Sequence, residues 1–315
     1  MESIPENHLL KLPSGAMEKI RKIHNFEKIE RLQQAITILE DWIKKQDHII
    51  KKDFSKDYLE RTLITCKGSV EKAKKQIDRS CTMRTLMPKY FSKTNAKLEL
   101  SKIIEISWAI PLPILTEDYY RVLIVKFNND DNGLTTETIM QYYQYHIILS
   151  EYIKAHDYVN GFIVLYDMGR LNILDLMSKW NPVHLQQFTS IIIEGFGARL
   201  KSFHILTNSK AVELLINTVK HLVSEKISNR IYVQPTLKDL HKVVPKEILP
   251  VDYGGNERSS EKLHAEWVEE LSSEEHVEYM KMMQKACTDE TRRHAGKFNE
   301  EYMGMPGSFR SLCVD

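Results

Sequence analysis

Gly161-Phe162-Ile163-Val164-Leu165-Tyr166-Asp167 is an apolar run that opens on glycine and ends on a carboxylate followed by Met168-Gly169. Its length and its apolar centre predict a buried strand. Upstream, Arg121-Val122-Leu123-Ile124-Val125-Lys126-Phe127 reads the same way, and Asn128 to Gly133 supplies turn chemistry after it. Between the two strands, residues 136–156 are long enough for a helix. Downstream, residues 171–180 and a segment starting at Pro182 and running towards Glu194 read as helices, because proline is tolerated in a first helical turn. Phe203 to Thr207 is a third strand, Ala211 to Val223 a further helix, and Ile231-Tyr232-Val233 a short fourth strand. Strands alternating with helices at these separations predict an α/β sheet domain over about residues 105–255.

The flanks differ from this core. Residues 1–95 read as an all-helical module: Ile29, Leu32, Ala35, Ile36, Ile38, Leu39 and Ile43 recur at helical spacing, and Gly68-Ser69 ends one helix and caps the next. Residues 256–315 form a third segment. There Leu263, Trp267, Val268 and Leu271 predict a helix packed on the sheet domain, while Tyr302, Met303, Met305, Phe309 and Leu312 lie in a tail interrupted by Gly304, Pro306 and Gly307.

Composition excludes several classes. The 315 residues carry 42% hydrophobic and 28% charged side chains with only 12 Gly and 10 Pro, which is unlike a collagenous or broadly disordered chain. No run approaches a membrane span, and the apolar stretch Ala109 to Leu115 is short and carries proline. The start, Met1 to Glu6, lacks a basic segment followed by a hydrophobic one, so a cytoplasmic protein is expected. Cys66, Cys81, Cys287 and Cys313 form no close pair and have no histidine at metal-ligand spacing, so no metal or cofactor is expected.

Enzyme signatures are sparse. Gly195-Phe196-Gly197 lacks the third glycine of a dinucleotide loop, and no phosphate-binding loop, zinc-peptidase helix or serine-esterase elbow occurs. Asp167 at a strand end is either a cap for the following amides or a catalytic carboxylate in need of a partner such as His204. The net charge of +1 hides a local contrast: residues 199–242 hold eight basic and three acidic side chains, and residues 257–290 hold ten acidic and four basic. Arg199 and Lys201 precede the third strand, and Lys226 and Arg230 are spaced as an i,i+4 helical pair. This group is either a solvated face or a seat for an anionic headgroup. No nucleic-acid recognition pattern accompanies it. Val212, Leu214, Leu215, Ile216, Val219, Leu222 and Val223 spread around their helix, so it is buried on two faces or covers a cavity.

Tyr166-Asp167-Met168-Gly169, Glu194-Gly195, His204 to Asn208 and Leu249-Pro250-Val251-Asp252-Tyr253-Gly254-Gly255 resemble the CRAL-TRIO lipid-binding family. The likeness covers about residues 25–275 and falls in the branch that includes alpha-tocopherol transfer protein and cellular retinaldehyde-binding protein, with insect members most similar. It implies a mixed, mainly parallel sheet, an apolar pocket and a mobile gate helix, here about Ser209 to Leu222, with Val212, Leu215, Ile216, Val219 and Leu222 as lid residues. Phe162, Val164, Tyr166, Phe188, Ile192, Phe203 and Ile205 are the expected pocket lining.

The implied function is intracellular binding and transfer of a tocopherol, retinoid, carotenoid or similar isoprenoid lipid, without catalysis. Release would occur at anionic or phosphoinositide-containing membranes contacted by Arg199, Lys201, Lys226 and Arg230. The protein is then cytoplasmic and monomeric, with peripheral membrane association and no nucleic-acid partner. The alternative is a phospholipid-sensing or scaffold protein on the same fold. Two departures stand out: Cys66 occupies a position that is basic in the family, and Ser209-Lys210 replaces a proline found in many relatives.

Overall fold

The computed structural model describes residues 7–128, 134–169 and 171–293. The chain start, most of the 128–133 turn, Arg170, Cys313 and the tail residues named above lie outside the described residues.

Four helices build the N-terminal region: α1 (Ala16–Ile23), α2 (Ile29–Lys44), α3 (Lys56–Thr65) and α4 (Val70–Leu86). Of the stripe expected from spacing, Leu32, Ala35, Ile36, Leu39 and Ile43 are buried in α2, whereas Ile29 and Ile38 are exposed. Ser55 and Ser69 cap α3 and α4 by accepting from the amides of Tyr58 and Lys72 at 3.1 and 3.3 Å. Between them Gly68 takes a left-handed φ of +74°, and a Cβ there would meet the His24 carbonyl oxygen at 2.4 Å. Residues 287–293 return to this region. Ile49 bridges Thr288, and Arg293 donates to both oxygens of Asp78 at 2.9 Å.

Two short helices, α5 (Ala96–Glu99) and α6 (Ser101–Ile106), lead into a five-stranded sheet whose spatial order follows the chain, β1-β2-β3-β4-β5. β1 (Ser107–Pro111) pairs antiparallel with β2 (Tyr120–Phe127), and every later pairing is parallel. β1 was not expected from sequence, where Ala109 to Leu115 reads only as a short proline-bearing run; Pro111 closes an edge strand, where its missing N–H breaks no ladder. α7 (Thr136–His156) starts in a capping box formed by Thr135 and Thr138. β3 (Gly161–Asp167) follows, then α8 (Ile173–Lys179) and α9 (Pro182–Ser190), capped by Asn172 and Asn181. α9 widens into a π-helical turn over Ile191–Gly195.

β4 (Leu200–Leu206) begins earlier than the sequence suggests, so Lys201 lies inside the strand rather than before it. α10 (Val212–Lys220) ends before Leu222, and Lys226 sits in a separate single turn, α11 (Glu225–Ser228). Arg230 falls beyond α11 and leads into β5 (Ile231–Gln234), so the expected helical i,i+4 pair does not form on one helix. α12 (Leu237–Leu240), α13 (Ser260–Glu270) and α14 (Glu274–Gln284) are the last α-helices among the described residues. Leu263, Trp267 and Leu271 are wholly buried, and the Trp267 indole donates to the Pro111 carbonyl at 3.0 Å, docking α13 on the β1 edge. In the Leu249 to Gly255 turn, Gly255 is required because a Cβ would fall 1.9 Å from the Leu249 carbonyl oxygen.

One buried ion pair ties the sheet to the end of α7. Arg121, fully buried in β2, donates to both Asp157 oxygens at 2.9 and 2.7 Å and to the carbonyls of Leu112 and Pro113.

Candidate functional site

Parallel pairing puts partner residues on the same face, and successive residues on opposite faces. The register Val164↔Phe203 and Tyr166↔Ile205 therefore aligns Phe162, Val164, Tyr166, Phe203 and Ile205 on one side of the sheet. That side faces a cavity of about 340 Å³ closed by α3, α7, α8, α9, α10 and α11. The volume falls in the range typical of small-molecule sites. Phe188 and Ile192 face it from α9 and the π-turn, so all seven expected pocket residues share this one wall system.

The five expected lid residues divide. Leu215, Ile216 and Val219 line the cavity from α10. Val212 is buried in the neighbouring core instead, and Leu222 lies past the helix end, outside the lining. Val223 and Ile227, not singled out as pocket residues, face the cavity in their place. The outer side of α10 carries Leu214, 52% exposed, and the adjacent α8 carries Leu174, 56% exposed.

Most polar groups around the cavity are spent on each other. The Tyr142 and Tyr166 hydroxyls bond one another, and the Trp180 indole donates to the Tyr143 hydroxyl at 3.1 Å. Burial holds the Tyr166 phenol up at about 12. Two side chains on the cavity face of α7 are different. His146 donates from Nδ1 to the Tyr142 carbonyl at 2.9 Å, which leaves Nε2 as an acceptor, and that atom has no hydrogen-bond partner. Burial drives its pKa down to about 4, so the ring is neutral. Lys154, two turns further along, has an ammonium with no hydrogen-bond partner, and burial lowers its pKa to about 7. Neither was flagged by sequence; the available signal was a His and a Lys eight residues apart on a helix otherwise rich in Ile and Tyr.

The four expected headgroup cations also divide. Arg199 donates to Asn160 Oδ1 at 2.9 Å and to His24 Nε2 at 3.1 Å, and Arg230 donates to the Leu200 carbonyl, so both guanidiniums brace the fold. Burial, then the charges of Arg199 and Lys67, push His24 down to about 4. Lys201 and Lys226 are exposed, with Lys201 over the Tyr120 ring at 5.5 Å. Cys66 is buried and donates its thiol to Gln76 Oε1, while the next residue, Lys67, is exposed.

Asp167 and His204 do not assemble a catalytic pair. The register Leu165↔His204 and Asp167↔Leu206 sets both on the sheet face opposite the cavity. Asp167 accepts from the Tyr253 hydroxyl at 2.6 Å and the Gly169 amide at 2.9 Å, a strand-end cap. His204 bonds Ser202 and Gln234. Among the described residues there is no helix long and apolar enough to cross a membrane and no group of side chains suited to a metal ion.

Comparison with known proteins places two family models end to end on the chain. A Pinta-like UBA domain matches residues 28–100, and a CRAL/TRIO domain matches residues 107–255. The chain is 25% identical over 255 residues to mouse (Mus musculus) alpha-tocopherol transfer protein-like, covering 80% of this chain and 73% of that protein. It is 23% identical to the human protein of the same name, with the same coverage. Clavesin-2 of Rattus norvegicus is 27% identical over 145 residues, 44% of this chain and 43% of that protein. A solved structure, "Crystal structure of Sfh5", superposes with a TM-score of 0.45 at 11% identity, covering 81% of this chain and 97% of that one. The chain thus carries a CRAL/TRIO domain set behind a Pinta-like UBA domain.

Proposed function

We infer that the protein binds one hydrophobic molecule of isoprenoid size in the cavity and transfers it at an anionic membrane surface, without covalent turnover. The observation that carries this reading is a cavity of about 340 Å³ walled by the apolar faces of β3, β4, α7 and α10. Each methylene buried there contributes about 0.8 kcal/mol, so a long apolar ligand gains enough to be held from water. The names of the transfer-protein relatives point the same way.

Release needs the cavity to open. The segment from Ser209 to Leu222 is the lid in this reading, because α10 puts Leu215, Ile216 and Val219 over the cavity and lacks a side-chain cap at its N-terminus. Leu214 and Leu174 would enter the interface as the lid swings. Lys201, Lys226 and Lys67 would meet anionic headgroups, with Arg199 and Arg230 holding the strand ends that carry them.

The test is transfer of a fluorescent retinoid from the purified protein to vesicles containing phosphatidylserine or phosphoinositide. Replacing Lys201 and Lys226 with Gln should slow transfer to anionic vesicles about tenfold at moderate salt and leave retinoid affinity unchanged. Equal losses in transfer and affinity, or unchanged transfer, would remove the membrane role; failure of the wild type to retain any hydrophobic ligand would remove the whole reading.

A further inference from the structure

We propose that the cavity seats a carboxylate, so that the preferred ligand is an amphiphilic acid whose apolar body fills the pocket and whose head meets Lys154 and Arg61. This rests on the ligand-binding reading above and specifies it.

Lys154 is 6% exposed and Arg61 is 8% exposed, and both line the same cavity, from α7 and α3. The Lys154 ammonium and the Arg61 Nε have no hydrogen-bond partner. Arg61 is otherwise engaged by the Tyr158 ring, 4.6 Å from its guanidinium carbon, and by a 3.9 Å approach to Asp57. Lys154 lies 5.3 Å over the Tyr58 ring. The carboxylates in this neighbourhood are committed elsewhere. Asp157 gives both oxygens to Arg121, and Glu151, the other acid near Lys154, gives Oε1 to Arg84 and leaves Oε2 without a hydrogen-bond partner, its charge offsetting part of the Lys154 burial cost.

Two buried cations against an apolar cavity, whose nearby acids reach them only through the 3.9 Å approach of Asp57 to Arg61, are costly to keep charged. The depressed pKa of Lys154 expresses that cost, to which the Arg61 charge adds. A ligand carboxylate removes it: N–H donors of both side chains reach an anion, and bonds between charged partners are about twice as strong as neutral ones. An alcohol of the same shape gains the same apolar burial but leaves both cations uncompensated.

The experiment uses one polyene in three oxidation states: retinol, retinal and retinoate. Each is titrated into the purified full chain and read by quenching of tryptophan fluorescence, Trp180 being part of the cavity wall. Retinoate should bind about tenfold or more tightly than retinol. Lys154→Met should abolish that preference while retaining retinol, which shows that the variant is folded. Equal affinity of the wild type for acid and alcohol overturns the carboxylate seat and leaves the binding reading intact. A retinal adduct on Lys154 trapped by borohydride, without a preference for the acid, overturns it in favour of an imine. Binding of none of the three overturns both.

Discussion

Arg121 and Lys154 are both cations buried near the C-terminal end of α7, and the structure treats them in opposite ways. Arg121 is wholly enclosed and meets a carboxylate through two bonds and two carbonyls through two more. Lys154 is nearly as buried and meets an aromatic face but no acceptor. Burial alone therefore does not describe a charged site. Arg121 is a completed joint between sheet and helix, whereas Lys154 borders the cavity with no acceptor on its ammonium.

The contrast can be broken at its strong end first. Asp157→Asn leaves the Arg121 charge buried against a neutral amide, and should cost about 3–5 kcal/mol in urea unfolding. A loss under about 1 kcal/mol would put the two sites on the same footing. At the other end, Lys154→Met removes an uncompensated group, so ligand-free protein should gain about 1–3 kcal/mol near pH 7. The sign has a pH signature. The folded value is about 7 and the ordinary value 10.5, so between them the unfolded chain holds a proton that the folded chain lacks. Lys154's destabilising contribution is full below about pH 7 and fades as pH rises towards the ordinary value. The stability gap between Lys154→Met and the wild type should therefore narrow from about pH 7 to 9 in paired unfolding curves, and a gap constant with pH would refute the assignment. The smallest effect calibrates the others. Lys281 and Glu278 pair at 2.7 Å with side chains 55% and 65% exposed, and Glu278→Gln should change stability by less than about 0.5 kcal/mol.

Alternation and helical spacing made much of this molecule legible in advance. The pleat of β3 and β4 sets Val164, Tyr166, Phe203 and Ile205 on the face opposite Asp167 and His204, but their reading as pocket lining came with the family resemblance, because Ile163 and Leu165 make the other face of β3 apolar as well. β1 escaped because it is a five-residue run that ends on Pro111, with Pro113 just beyond, and pairs only at an edge. The basic group was read as one cluster, yet Arg199 and Arg230 are turned inwards onto Asn160 and a backbone carbonyl, which residue type cannot reveal. His146 and Lys154 escaped for a related reason. α7 is buried on most of its circumference, so its sequence has no polar face against which a misplaced polar residue would show.

The order of the strands has a bearing on how the protein is made. Because β1 to β5 lie side by side in the sequence in which they leave the ribosome, each strand finds its template already present, and the sheet lengthens from one edge. The N-terminal helices follow the reverse schedule. Ile50 donates to the Cys287 carbonyl and Asp78 accepts from Arg293, 215 residues later, so these bonds of the helical region cannot form until that later stretch has been made.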